Sequence, residues 1–279
     1  IDWSTRGTSR PVFGAVCIAV CCLGIIPYII CMRIVWEIQK QACYKMMFYL
    51  AIVDILTLFG NVLAGVVFIV GGMYCHAPWI FLLISFLVGG GYYASCCTCF
   101  MIAVNRLVEL FAIRPLHKLF LENRPWFLML IPTAYALSGI ICAPLAFANS
   151  ETHIFHLDPM ISDRYEYKSY FNTLNNFAAP SICSLLYLAM IINVIARKKK
   201  LSIQCGVIVI VHMYTCLSYI LIPYIINETI FDAVLYTMHI NWLIMHGLPP
   251  YVYFLFNPSI RRGVLQFANP NLSIHVSTT

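Results

Sequence analysis

Polar side chains at three places in long apolar runs are the first positions where this sequence could do chemistry. Asp54 lies within one run, Asn105 and Arg106 end another, and Asn257 precedes Pro258 at the end of the last. An ionisable group deep in a bilayer is costly, so it needs an interior partner and is a functional candidate. Asp54 is either a signalling or ion-binding group or a carboxyl that only hydrogen-bonds neighbouring helices. Arg106 either pairs with a neighbouring helix or anchors the topology.

Aromatic and histidine side chains at helical spacing are candidates for a ligand pocket. His239, Trp242 and His246 are three and four residues apart and share one helical face. Binding sites between membrane helices have apolar walls with a few convergent polar groups. Interior packing is the alternative for each single member. The candidate pocket residues are Tyr92, Tyr93, Tyr219, His239, Trp242 and His246.

The composition indicates that lipid surrounds the elements that must position these residues. The chain has 61% hydrophobic and 10% charged residues with a mean hydropathy of +0.83, whereas soluble domains carry about 25% charged residues. A helix needs about 20 apolar residues to cross a bilayer. We therefore predict an all-α bundle of seven transmembrane helices that fills residues 1–279 as a single domain. The predicted spans are 12–32, 46–70, 79–104, 126–148, 170–196, 201–226 and 230–256.

The distribution of lysine and arginine predicts the orientation of this bundle. Thirteen of the 17 basic residues fall in one set of connecting segments, and such segments stay in the cytoplasm. The N-terminus is therefore expected outside and the C-terminus inside. This placement explains the net charge of +6 without a nucleic acid partner. After the seventh span, residues 259–268 are expected to form a short amphipathic helix on the inner leaflet.

Several motifs give the chain a resemblance to a known family. They are SRPVFG (9–14), YKMMFYLAIVDI (44–55), NRLVEL (105–110), APLAF (143–147) and the asparagines at 172, 175 and 176. With these motifs the chain resembles the nematode serpentine chemoreceptors, most of all serpentine receptor class T, within the rhodopsin-like receptors. The resemblance implies a receptor that senses an extracellular small molecule, activates a heterotrimeric G protein and resides in the plasma membrane, with the sensory cilium as a candidate location.

The resemblance also implies roles for individual residues. The signalling switch would comprise Asp54, Ser95, Asn105, Arg106, Asn257 and Pro258. A sodium ion could bind at Asp54 as a modulator, with Ser95 and Asn257 as further ligands; no other cofactor is expected. The G-protein-facing residues would be Arg106, Arg197, Lys198, Lys199 and Lys200, although the basic run could instead only anchor spans five and six.

Other positions depart from the rhodopsin-like pattern. Asn105 stands where an acidic residue usually precedes the arginine. Val88, eighteen residues before Arg106, replaces the aspartate of amine receptors, and Tyr251 replaces the lysine of opsins. A neutral or weakly polar ligand is therefore expected. The customary disulfide partner of Cys75 is absent from the outer loop, and Cys142 is the substitute that the chain offers.

A transporter, an enzyme and a metal site each fit the sequence less well than a receptor. A transporter, the alternative interpretation, would show inverted repeats or several intramembrane charges, and neither stands out. An enzyme is not expected, because no nucleophile with its base and no HExxH motif lies along a helix. His153 and His156 form an HxxH pair, but two ligands are too few for a closed metal site.

Overall fold

Eight helices form the bundle in the computed structural model, which describes residues 5–39, 41–157, 169–197, 207–208, 210–218 and 231–268. In chain order they are α1 (Pro11–Glu37), α2 (Ala42–Val70), α3 (Pro78–Phe111), α4 (Arg124–Cys142), α5 (Tyr170–Arg197), α6 (described at 207–208 and 210–218), α7 (Phe231–Gly247, continued by Pro249–Phe256) and α8 (Pro258–Ala268). Tyr219 and the basic residues Lys198, Lys199 and Lys200 lie outside the described residues.

Long apolar helices with exposed apolar side chains fit a lipid environment. Among the described residues, α1 to α5 are each long and apolar enough to cross a membrane. Large hydrophobic side chains such as Val12 and Trp79 are 80% and 82% exposed, as expected where lipid rather than water covers the surface. The predicted all-α class is therefore confirmed for the described residues. The orientation and the single domain stay predictions.

Glycines let α1 and α2 pack backbone to backbone. A Cβ atom at Gly14 would lie 2.5 Å from the carbonyl oxygen of Gly65, and one at Gly65 would lie 3.0 Å from that of Gly14. Small residues are common at such contacts because lipid tails give helices no hydrophobic reason to associate, so close packing must hold them together. Gly14 ends the SRPVFG motif, which thus has a packing function.

The helix α3 contains a π-helical turn at Phe86–Gly90, between the α-helical segments Pro78–Ser85 and Gly91–Phe111. Such a turn adds one residue to the helix and frequently occurs at functional sites. The apolar pattern alone does not indicate this turn.

The Asn257-Pro258 pair begins α8. Asn257 Oδ1 accepts hydrogen bonds from the backbone N–H groups of Ser259 (3.1 Å) and Ile260 (3.3 Å), which is an N-cap. Pro258 occupies the first helical position, where its missing N–H is not needed. In α8, Ile260 is buried while Arg261 is exposed, so the predicted amphipathic helix is present; its place on the inner leaflet stays a prediction.

A small hairpin lies between α4 and α5, where the sequence indicated no strand. Strand β1 (Phe147–Asn149) pairs antiparallel with β2 (Ile154–His156), with Phe147 opposite His156. The pairing satisfies backbone groups of a partly buried loop, and such groups are costly without hydrogen bonds. Cys142, which ends α4 and is the substitute partner that the chain offers Cys75, is a free thiol, so the structure forms no disulfide between the two.

The segment ahead of α1 is fastened to this hairpin. Arg6 forms a 2.8 Å ion pair with Glu151, and Thr8 Oγ1 donates a 2.8 Å hydrogen bond to the carbonyl oxygen of Ser150. His153 Nε2 lies 3.1 Å from the carbonyl oxygen of Thr8. His153 therefore has a structural contact with the segment ahead of α1. No group of three or more metal-ligating side chains occurs in the described part of the chain.

We predict that Gly14→Ala destabilises the bundle by about 1–3 kcal/mol, because the new methyl group forces α1 away from α2. Thermal unfolding of the purified protein in detergent measures this change. Gly72→Ala is the control, since a Cβ atom there meets only ordinary contacts from 3.6 Å outward. Equal melting temperatures for the two variants would contradict the prediction.

Candidate functional site

The carboxylate of Asp54 joins three helices in the bundle core. The Tyr28 hydroxyl on α1 donates a 2.5 Å hydrogen bond to Oδ2, and His246 Nδ1 on α7 lies 2.7 Å from Oδ1. Asp54 is 1% and His246 0% exposed. In such surroundings a carboxyl group is tolerated only with hydrogen-bonding partners. Both of its oxygens have one here.

Of the expected sodium ligands, Asn257 has another position in the structure. Ser95 is buried on α3, and its Oγ makes no hydrogen bond to the described residues. The Asn257 side chain instead caps α8. Its Nδ2 lies 3.4 Å from the hydroxyl oxygen of Tyr44. Tyr44 precedes Asp54 by ten residues, or about 15 Å along α2. His246 rather than Asn257 is therefore the α7 partner of Asp54, and a sodium ion there stays a prediction.

A cavity of about 140 Å³ lies between α3, α4, α5, α6, α7 and the hairpin. Three of the pocket candidates, Tyr92, Tyr93 and Trp242, line it, whereas His239 and His246 do not. The described lining residues are Val88, Gly89, Tyr92, Tyr93, Gly139, Ile140, Pro144, Leu145, Ala146, Phe155, Leu157, Asn172, Asn176, Cys216 and Trp242. None of these side chains carries a formal charge at neutral pH.

Tyr92 contacts side chains of three other helices in the cavity wall. Its hydroxyl donates a hydrogen bond to Asn176 Oδ1 and lies 3.2 Å from Cys216 Sγ. Its ring centroid is 4.5 Å from that of Trp242. Aromatic pairs at such distances add stability beyond area burial, so Tyr92 links α3 to α5, α6 and α7 at the cavity.

The asparagine cluster at the start of α5 divides between two tasks. Asn172 and Asn176, one helical turn apart, both line the cavity. Asn175 faces elsewhere: its Oδ1 accepts a 2.9 Å hydrogen bond from the Tyr135 hydroxyl, and its Nδ2 is 3.6 Å from Cys96 Sγ. The motif carried the resemblance, but its members in the cavity were not among the pocket candidates.

His239 packs in an aromatic cluster beside the cavity. It is fully buried, with ring centroids 6.0 Å from Phe13, 5.6 Å from Phe68 and 5.8 Å from Phe155. Phe155 also lines the cavity, so His239 supports one wall from behind. Interior packing, the alternative left open for this residue, describes its position.

Arg106 lies at the opposite end of α3. Its Nη1 is 3.2 Å from Glu109 Oε2 on the next turn of the same helix. The neighbouring Asn105 is buried, and its carboxamide has no hydrogen bond to the described residues. Arg197 ends α5, and its side chain lies outside the described part. The arginine thus has an acidic partner, three residues after it rather than directly before it.

Comparison with known proteins finds a family match over almost the whole chain. The family model described as serpentine type 7TM GPCR chemoreceptor Srt matches residues 1–276. No curated protein matches the chain. The family match confirms the predicted class T resemblance and the seven-helix fold class.

We predict that His246→Leu destabilises the receptor by about 3–5 kcal/mol, because the buried Asp54 carboxyl loses a partner. The double variant Asp54→Asn with His246→Leu should recover part of this loss, since a neutral amide is less costly to bury. Thermal unfolding of the single and double variants in detergent measures the coupling. Strictly additive effects would contradict the role of His246 as the partner of Asp54.

Proposed function

The chain belongs to the serpentine type 7TM GPCR chemoreceptor family Srt, and from this premise we propose that it binds an extracellular small molecule in the cavity and activates a heterotrimeric G protein. It is a multi-pass membrane protein of a receptor family, not of an enzyme family. We place it in the plasma membrane, including that of the sensory cilium. The cavity is the observation that carries the proposal.

The position of the cavity supports an extracellular ligand. Its wall includes Phe155 of the hairpin, and that hairpin holds the segment ahead of α1, which the charge distribution predicts to be outside. Basic groups cluster at the other end. There Lys45 Nζ lies 3.0 Å from Asn123 Oδ1, and the Arg33 guanidinium lies 6.0 Å from the Phe267 ring of α8.

A continuous set of contacts leads from the cavity into the core. The ring of Tyr92 contacts Trp242, whose ring centroid is 5.4 Å from that of His246. His246 in turn bonds to Asp54 at 2.7 Å. A ligand that moves Trp242 would therefore disturb the junction of α1, α2 and α7. In our proposal this disturbance favours a second arrangement of the bundle, whose inner ends accept the G protein.

Arg106 would act at the receiving end of this change. It lies fourteen residues from Tyr92 on α3, or about 21 Å away, so it cannot touch a ligand in the cavity. It is only partly buried and paired with Glu109. The side chain can therefore exchange this partner for a group of the G protein without unfolding α3.

We predict that Arg106→Ala abolishes agonist-driven G-protein activation while ligand binding stays within about twofold of the unchanged receptor. The assay uses cells that express the full-length receptor, challenged with a broad panel of volatile and water-soluble small molecules. Arg33→Ala, which removes an exposed arginine that pairs with Glu37 on α1, is the control and should signal normally. Normal signalling by Arg106→Ala would exclude this role for Arg106. Silence of the unchanged receptor across the panel, despite surface expression, would count against the proposal and favour a test of transport.

A further inference from the structure

The space between the described walls of the cavity fits a ligand of about one ring. Its volume is about 140 Å³, close to that of an engineered apolar cavity of about 150 Å³ that binds benzene. A fused two-ring molecule would exceed this space unless the described walls moved apart. The close aromatic contacts of Tyr92 and Trp242 oppose such movement.

The wall of the cavity favours a neutral molecule with one oxygen acceptor. No described lining residue is charged, and a buried charge without a partner is strongly disfavoured. Asn176 uses Oδ1 to accept the Tyr92 hydroxyl, so its Nδ2 remains a donor. The Asn172 carboxamide, on the same side of α5, makes no hydrogen bond to the described residues. Two amide donors therefore line one side of the cavity.

Gly89 provides open space on the α3 side. A Cβ atom built at this residue meets no atom within 4 Å, although neighbouring Gly90 would clash with Ile140 at 2.7 Å. The π-helical turn carries Gly89 into the cavity wall. A larger side chain at this position would thus extend into the volume that a ligand needs.

We propose that the cavity binds a neutral molecule built on a single ring with one carbonyl or hydroxyl oxygen, and that this oxygen accepts from Asn172 and Asn176 while Gly89 limits ligand size. The proposal rests on the proposed function for the location of the site and adds the chemical class of the ligand. The aromatic rings of Tyr92 and Trp242 stack on the ligand ring.

Direct binding to the purified full-length receptor in lipid nanodiscs tests this class without requiring a G protein. The probe is acetophenone, and its binding is measured by equilibrium dialysis. The binding of α-methylstyrene, benzoate and 2-acetonaphthone is measured in the same way for comparison. We expect 1:1 binding of acetophenone, binding of α-methylstyrene about tenfold weaker because it lacks the oxygen, and no saturable binding of the charged or two-ring compounds. Equal binding of α-methylstyrene, tighter binding of benzoate, or no binding of acetophenone to folded receptor would each overturn the proposal.

Variants locate the binding site within the receptor. Asn172→Leu and Asn176→Leu should each remove most of the preference for acetophenone over α-methylstyrene. Asn193→Leu, the same change on α5 seventeen residues beyond Asn176, should preserve it. An unchanged preference in both cavity variants would overturn the assignment of the asparagines.

Changes at Gly89 test the size limit. Gly89→Ala should weaken acetophenone binding several-fold and Gly89→Leu should abolish it, whereas Gly72→Ala, outside the cavity, should leave it unchanged. Full affinity in Gly89→Leu would refute the role of this glycine.

Binding of acetophenone without G-protein activation would count against the proposed function alone. Activation by another chemical class, with acetophenone unbound, would refute only the ligand class.

Discussion

The hydrogen bonds of the Asp54 carboxyl are the interaction on which the arrangement of α1, α2 and α7 depends. Within a bilayer no water competes for a buried carboxyl, so its partners must come from other helices. Tyr28 and His246 supply them from α1 and α7. Because a carboxyl without these partners would be strongly disfavoured, the two bonds favour the relative position of the three helices seen in the structure. The glycines between α1 and α2 then allow the backbones to approach closely.

The length of the apolar runs predicted most helices, because a bilayer has a fixed thickness. Asp54 was predicted as a functional candidate because it is an ionisable residue within such a run. The partner of Asp54 could not be predicted in the same way. Spacing shows that His239, Trp242 and His246 share a face of α7, but not how α7 is rotated or how deep each residue lies. In the structure this face passes from an aromatic cluster at His239, through the cavity wall at Trp242, to the core at His246.

The residues that line the cavity could also be predicted only in part. Tyr92, Tyr93 and Trp242 were predictable from residue type and position, and they line the cavity. Phe155 reaches it through a hairpin that no apolar periodicity indicated, because loop strands this short leave no pattern. Asn257 matched a motif, yet the identity of a residue does not reveal that its oxygen caps a following helix.

The π-helical turn in α3 affects how this chain should be aligned with other receptors. A turn of this kind contains one more residue than an α-helical turn, so positions before Phe86 are displaced by one relative to an uninterrupted helix. Counting backward from Arg106 remains valid as far as Gly91 and fails beyond it. Val88 lies within the turn itself, and the residues next to it in the sequence are also uncharged. Ungapped alignment of the outer half of this helix would therefore compare residues that occupy different places in space.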